Sequence, residues 1–251
     1  MFLTPRWIAS HVFVAALIAA FIAAGFWQLN RLEQRQALNE LIVERINEPS
    51  AQPSELISFG LGPGGSAEPA DFEYRSVVLD GRFDPNRSVL IANRSSEGLP
   101  GFWLWAVFAL EDGAGEILVN RGFIARTTII EGLAPQPPSG TQIVRGRLRL
   151  GLDGGRVGEA GDQINRPDPQ VAAEITNLDN FVTSEFYVQS TDEVVAPLFV
   201  LPPPDLGEGP HRSYAFQWFT FTTIGVIGYA MTLKRIRRGD TARGDVPHHA
   251  V

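Results

Sequence analysis

Residues Trp7–Leu29 read WIASHVFVAALIAAFIAAGFWQL, and residues Tyr214–Leu233 read YAFQWFTFTTIGVIGYAMTL. Neither stretch holds an Asp, Glu, Lys or Arg, and each is about the 20 residues that a helix needs to cross a bilayer. The 251-residue chain is therefore predicted to be an α+β membrane protein. Two transmembrane helices, at 7–29 and 213–233, flank an antiparallel β-rich extracytoplasmic domain at 30–212, and a basic tail occupies 234–251.

Orientation follows from the positive charges beside each span. Lys234, Arg235, Arg237, Arg238 and Arg243 follow the second span, whereas Arg6 alone precedes the first and Arg31 and Arg35 follow it. The dense C-terminal cluster places the tail in the cytoplasm, and two spans then put both termini there. Residues 30–212 carry a net charge of −11 against +3 for the tail from Lys234, which fits a periplasmic domain. A cleaved signal peptide is the rival reading of the first stretch, with Ala23-Ala24-Gly25 as a small-residue cleavage site. The apolar run continues through Phe26, Trp27 and Leu29, which favours an uncleaved anchor. The few residues ahead of Trp7 cannot form an amphipathic presequence, so a bacterial inner membrane is expected rather than a mitochondrial one.

Between the spans, Arg31 to Asn47 places Leu32, Leu38, Leu41, Ile42 and Ile46 at helical spacing, which predicts a helix continuing out of the membrane. Residues 49–69 are rich in Pro, Gly and Ser and read as a flexible loop. From Glu73 the pattern turns to strands, predicted at Tyr74–Leu79, Ser88–Ala92, Phe102–Leu110, Glu116–Val119, Ile143–Leu150, Phe186–Gln189 and Val194–Phe199. Phe83-Asp84-Pro85-Asn86-Arg87 reads as a turn between strands and Glu111-Asp112-Gly113-Ala114-Gly115 as a hairpin loop. One helix is expected from Pro169 to Thr183, capped by Asp168, after a Gly-rich loop at Gly151–Pro167. The domain reads as one β-rich barrel or half-barrel with helical additions.

Chemistry is sparse. The chain has no Cys and two Met, which excludes a haem-attaching C-x-x-C-H, a thiol–disulfide centre and a thiolate copper site. The four His are His11, His211, His248 and His249. The tail pair reads as part of a disordered end. His11 lies inside the first span, where an ionisable residue is a functional candidate, although a neutral imidazole near the interface also fits there. His211 stands at the outer mouth of the second span, and a helix would set it on one face with Tyr214, Ala215 and Trp218. That face offers an imidazole able to ligate haem iron and aromatics suited to a flat macrocycle. It equally describes an aromatic belt anchoring the helix, and spacing alone favours the belt. No Ser-His-Asp triad can form within the domain without His211, no phosphate-binding loop ends in GK[ST], and Arg145, Arg147 and Arg149 read as a solvated strand face. By elimination the chain is not an obvious enzyme.

Several motifs together resemble the surfeit-locus-one (Surf-one) family. Gly25-Phe26-Trp27-Gln28-Leu29-Asn30-Arg31-Leu32 is similar to its G-x-W-Q-x-x-R-L signature. Tyr74-Arg75-Ser76-Val77 with Gly81-Arg82-Phe83-Asp84 resembles its Y-R-x-V…G-x-F-D stretch, and Asn93-Arg94 and Asn120-Arg121-Gly122 resemble its paired N-R elements. His211-Arg212-Ser213-Tyr214-Ala215-Phe216-Gln217-Trp218-Phe219 is similar to its closing H-x-x-Y-A-x-x-W-F. Read without the resemblance, the two N-R pairs suit strand ends, with Gly122 supplying a positive φ.

The resemblance implies an assembly factor for cytochrome c oxidase or a related haem–copper oxidase, acting on subunit I, with haem a synthase as a further partner. It implies haem a as a transient cofactor, held by His211 as iron ligand with Tyr214 and Trp218 beside it. Two other roles stay open: a membrane-anchored scaffold that binds subunit I without haem, and a membrane-tethered periplasmic enzyme.

Overall fold

The computed structural model describes residues 4–57, 68–111, 113–159, 161–178 and 180–244. Residues 58–67 of the expected flexible loop, Asp112 of the expected hairpin loop and the pair His248-His249 lie outside the described residues. Along the chain run α1 (Pro5–Asn47), α2 (Pro53–Leu56), a 3-10 turn (Pro69–Phe72), β1 (Ser76–Ser96), β2 (Leu99–Leu110), β3 (Glu116–Ala125), α3 (Arg126–Ile130), β4 (Gln142–Leu150), β5 (Gln163–Ile164), α4 (Pro169–Thr176), β6 (Phe186–Ser190) and α5 (His211–Gly244). They form two units, a helical one of Met1–Glu40 with Asp205–Val251 and a β one of Leu41–Pro204.

In the helical unit α1 and α5 pack antiparallel. Phe21 meets Trp218 at a ring-centroid distance of 5.5 Å, and Phe26 meets Phe219 edge-on, also at 5.5 Å. Gly25 lets the helices approach, because a Cβ there would lie 2.7 Å from the Phe219 ring. The predicted exit helix is simply the continuation of α1. Among the described residues α1 is the one helix long and apolar enough to cross a membrane, with a mean hydropathy of 2.2 over a window only 6% buried. A helix so apolar and so little covered by protein is in surroundings that water does not suit. α5 falls short of the same composition because Gln217, Thr220, Thr222, Thr223 and Thr232 dilute its apolar run.

The β unit forms a closed ring. β1 pairs with β2, β2 with β3, β3 with β6, β6 with β4, and β4 with β1 again. The sheet is mixed rather than antiparallel, because β3–β6 and β1–β5 are parallel pairs. The chain reaches β6 from β3 only by a long crossover carrying α3, β4, β5 and α4, as a parallel pairing requires. Inside the ring, Val77, Leu79, Phe108, Ile117, Val119, Leu148, Phe186 and Val188 make the principal core. On the outer wall Val89, Ile91, Trp105, Val107 and Leu118 form a second core with Ala172 of α4.

β1 closes the ring because its first half pairs with β4 and its second with β2. The change of partner falls at Gly81, which stands opposite both Gln142 and Leu110. The strand continues through 83–87, where a turn was expected: Phe83 faces Phe108 and Ser88 faces Ala106, so the excess residues bulge out. Asp84 caps the bulge by accepting from the Asn86 N–H at 2.9 Å and from Arg87 Nε at 2.7 Å. Arg87 also bonds Glu116 of β3, at 2.9 Å from Nη1 to Oε2. Local turn residues thus serve a bend within one strand, which is the ordinary use of a bulge in a closing sheet.

Three other boundaries differ from expectation. Val194–Phe199 is not a strand, although Phe199 bridges to Phe123. The helix opened by Asp168, whose carboxylate accepts from the Gln170 and Val171 amides, stops at Thr176 because Asn177 turns left-handed at φ 49°. At the near end of the expected flexible loop, Ala51 and Leu56 are buried in the principal core, and Ala51 bridges to Val77 of β1.

Two outcomes follow from this corner. A Cβ at Gly81 would run into the Ala109 carbonyl oxygen and lie 2.8 Å from the Phe108 ring, so Gly81→Ala should destabilise the β unit by about 1–3 kcal/mol in urea unfolding. The Asn86 amide, then the Arg87 side chain, hold the Asp84 carboxyl below the usual carboxylate range. That contribution is complete above about pH 4 and is lost as pH falls through the lowered value. The stability gap between the wild type and Asp84→Asn should therefore shrink as urea unfolding is repeated from about pH 5 down to pH 2.

Candidate functional site

Gly209, with a φ of 70°, turns the chain ahead of α5, and Pro210 leaves His211 as the first helical residue. The segment before it is tied to α1 by polar bonds within the helical unit. Arg35 donates to the Gly207 carbonyl at 2.8 Å, Gln36 to Glu208 Oε1 at 2.8 Å, and Asn39 to the Leu206 carbonyl at 2.6 Å. These bonds set the mouth of α5 against the point where the apolar run of α1 ends. There His211 Nδ1 meets Gln28 Oε1 at 2.8 Å.

An amide oxygen only accepts, so Nδ1 is the donor in this bond. Gln28 therefore does for His211 what an orienting carbonyl does for a metal-binding histidine: it holds the ring angle. Nε2 has no hydrogen-bond partner among the described residues. The face of α5 turned to α1 continues from His211 through Ala215, which is buried, to Trp218 against Phe21. Trp218 also meets Phe221 edge-on at 6.0 Å. Tyr214 is 47% exposed and lies off that packed face. The structure thus brings His211 and Trp218 onto one helix–helix seam and leaves Tyr214 outside it.

His11 is committed to the partner helix, where its Nδ1 bonds the Tyr229 hydroxyl. Among the described residues no three His, Asp or Glu side chains gather as a metal cage.

In the β unit the two N-R pairs lie inside strands, not at their ends. Each sits at a bulge. The β1–β2 register slips between Ile91 and Arg94, and the β2–β3 register slips at Asn120–Phe123. At the second slip Gly122 has a φ of 140°, and its N–H donates to Asn120 Oδ1 at 3.1 Å. Strand alternation sends Asn120 and Arg121 opposite ways. Asn120 joins the outer wall beside Trp105, while Arg121 turns inward, over the Phe83 ring at 5.7 Å. Arg121 donates to the carbonyls of Pro135 and Gln136, each at 3.0 Å. Burial pulls its guanidinium down to about 10.

A cavity of about 560 Å³ opens at Arg121, with Phe83, Val144, Val194 and Leu198 among its walls. It offers a buried cation and apolar surface. The β unit contains neither His nor Cys, so no imidazole or thiolate is available to that cavity. Arg145, Arg147 and Arg149 do not form a plain solvated face. Arg145 pairs with Asp192, and Arg149 pairs with Glu73 and stacks on Tyr74 at 4.6 Å. Arg147 has its Nε buried without a partner. Alternation gave their common face correctly but could not show what packs against it.

The model of the SURF1 family matches residues 15–223 of this chain. An uncharacterised SURF1-like protein of Mycobacterium tuberculosis is 27% identical over 262 residues, covering 98% of this chain and 91% of that one. A SURF1-like protein of Rickettsia bellii is 23% identical over 239 residues, 89% of this chain and 88% of that one. The cytochrome oxidase assembly protein SHY1 of Saccharomyces cerevisiae is 25% identical over 123 residues, 47% of this chain and 28% of that one. The matched span takes in both the Gln28 turn of α1 and the His211 turn of α5, and this chain belongs to the SURF1 family.

Proposed function

We propose that this protein is a bacterial inner-membrane assembly factor for cytochrome c oxidase, and that its helical pair holds haem a on the way to subunit I. The observation that carries the reading is the His211–Gln28 bond, which orients the imidazole through Nδ1 and leaves Nε2 without a partner among the described residues. Membership of the SURF1 family and the likeness to a yeast protein named for cytochrome oxidase assembly support the assembly role. Haem a synthase is the natural upstream partner, since it supplies the cofactor.

The residues present fit haem. A porphyrin brings four of its own nitrogens to the iron, so one histidine suffices where a bare metal ion would need three or four protein ligands. His211 would hold the haem iron through Nε2. Trp218 and Phe21 line the seam below it, and the exposed Tyr214 and Trp27 flank the same turns. Bound there, haem would be cargo rather than a reaction centre. The protein's work is to orient one imidazole and to cover an apolar ring.

α5 serves as the second span in this reading. The hydroxyls of Thr220, Thr222, Thr223 and Thr232 each donate to the carbonyl four residues back, at 2.8–3.0 Å. Threonines bonded in this way present methyl groups outward, which removes much of the polarity that composition assigns them. Both termini are then cytoplasmic and the β unit periplasmic, in keeping with the basic residues after Leu233.

The test is made on full-length protein purified from cells that make haem a. His211→Ala should lose the haem spectrum, and unchanged haem content would remove His211 as ligand. A scaffold that never touches haem would instead leave oxidase assembly intact in a His211→Ala strain. Gln28→Leu, which leaves the ligand but frees its ring, should weaken haem retention by roughly 10–100-fold in a competition assay against apomyoglobin.

A further inference from the structure

Across the outer wall of the barrel, one row of cross-strand partners runs Trp105, Asn120, Gln189, Arg147 and Ser76, from β2 through β3, β6 and β4 to β1. Opposed residues share a face of the sheet, so these side chains stand together. Next to the row, Tyr187 lies against Trp105 with ring centroids 4.3 Å apart, and Arg94 lies over the Trp103 ring at 4.3 Å. Trp105 and Asn120 are fully buried, while Arg94, Arg147 and Trp103 are partly open to solvent. The patch has a closed floor and an accessible rim.

Its hydrogen-bond inventory is lopsided. Arg94 Nε, Trp105 Nε1, Asn120 Nδ2 and Arg147 Nε are all buried with no partner, and every one of them is a donor. Three of the nearby acceptors are already engaged. Asn120 Oδ1 takes the Gly122 amide, Gln189 Oε1 takes Arg149 Nη1 at 3.4 Å, and Glu73 takes Arg149 Nε at 3.3 Å. Neither Arg94 nor Arg147 has a carboxylate at ion-pair distance among the described residues. Burial pulls both guanidinium groups below their ordinary range, and Arg149 adds to this at Arg147. Buried polar groups in native proteins are nearly always satisfied, and four orphaned donors on one wall with two uncompensated cations call for an acceptor that carries negative charge.

We propose that this wall binds an oxyanion, a carboxylate or phosphate group, at its orphaned donors, with Arg94 and Arg147 at the open rim. The site belongs to the β unit and does not depend on the haem reading of His211.

The experiment uses full-length protein in detergent at constant ionic strength, titrated with inorganic phosphate, with succinate and with chloride. Trp103 and Trp105 provide the fluorescence signal, and thermal unfolding provides a second readout. Phosphate, succinate or both should give a saturable change that chloride does not, and the arm that saturates identifies the oxyanion type. Arg94→Gln and Arg147→Gln, both at the open rim, should each weaken that binding about tenfold. Arg145→Gln, on the same strand but paired with Asp192, should leave it unchanged. A response to neither oxyanion overturns the proposal and leaves water as the partner of these donors. A response that survives both rim substitutions overturns it as an adventitious ion only.

Discussion

The β unit depends on one backbone position that serves two neighbours. At Gly81 the main chain of β1 leaves β4 and joins β2, and no side chain fits between it and the Ala109 carbonyl. Without that passage β1 would be two strands and the ring would open. The bulge that follows, clasped by Asp84 and tied to β3 through Arg87 and Glu116, supplies the curvature that closure requires. The G-x-F-D motif therefore describes a corner. Gly81 provides the close approach, Phe83 packs on Phe108 at 4.8 Å, and Asp84 caps the bend.

The helical unit is organised on a similar economy. Gly25 removes the side chain that would hold α1 and α5 apart, and aromatic rings fill the seam on either side of it. Polar groups appear on that seam as two pairs, His11 with Tyr229 and Gln28 with His211. Interhelical bonds of this kind fix register where apolar packing alone would allow sliding. Here the second of them also orients one imidazole.

Much of this was legible in the sequence. The long apolar run from Trp7, the helix leading out of it, the Asp168 cap and most of the strands are read from periodicity and punctuation. Other features were hidden because tertiary packing overrules local signals. Phe83–Arg87 holds the residues of a turn, yet pairing on both sides keeps it within one strand. Asn93-Arg94 and Asn120-Arg121-Gly122 look like strand ends because bulges and turns draw on the same residues. His211 was singled out from its place at the mouth of the second apolar run, but its partner Gln28 lies 183 residues away, and no local pattern could join them. The outer-wall row was missed for the same reason: Trp105, Asn120, Gln189 and Arg147 come from four strands and meet only when the ring closes.

The closed ring also limits how anything can dock on the β unit. An open sheet offers a bare row of amides and carbonyls along its edge, onto which a partner's extended peptide can add as another strand. Here each of the five ring strands has neighbours on both sides, and the two-residue β5 already occupies the outside of β1 at Leu90 and Ile91. Strand addition has almost nowhere to begin. A partner must instead recognise this unit by its side chains and bulges, which makes recognition a matter of surface chemistry rather than backbone templating and protects the unit from pairing with its own copies.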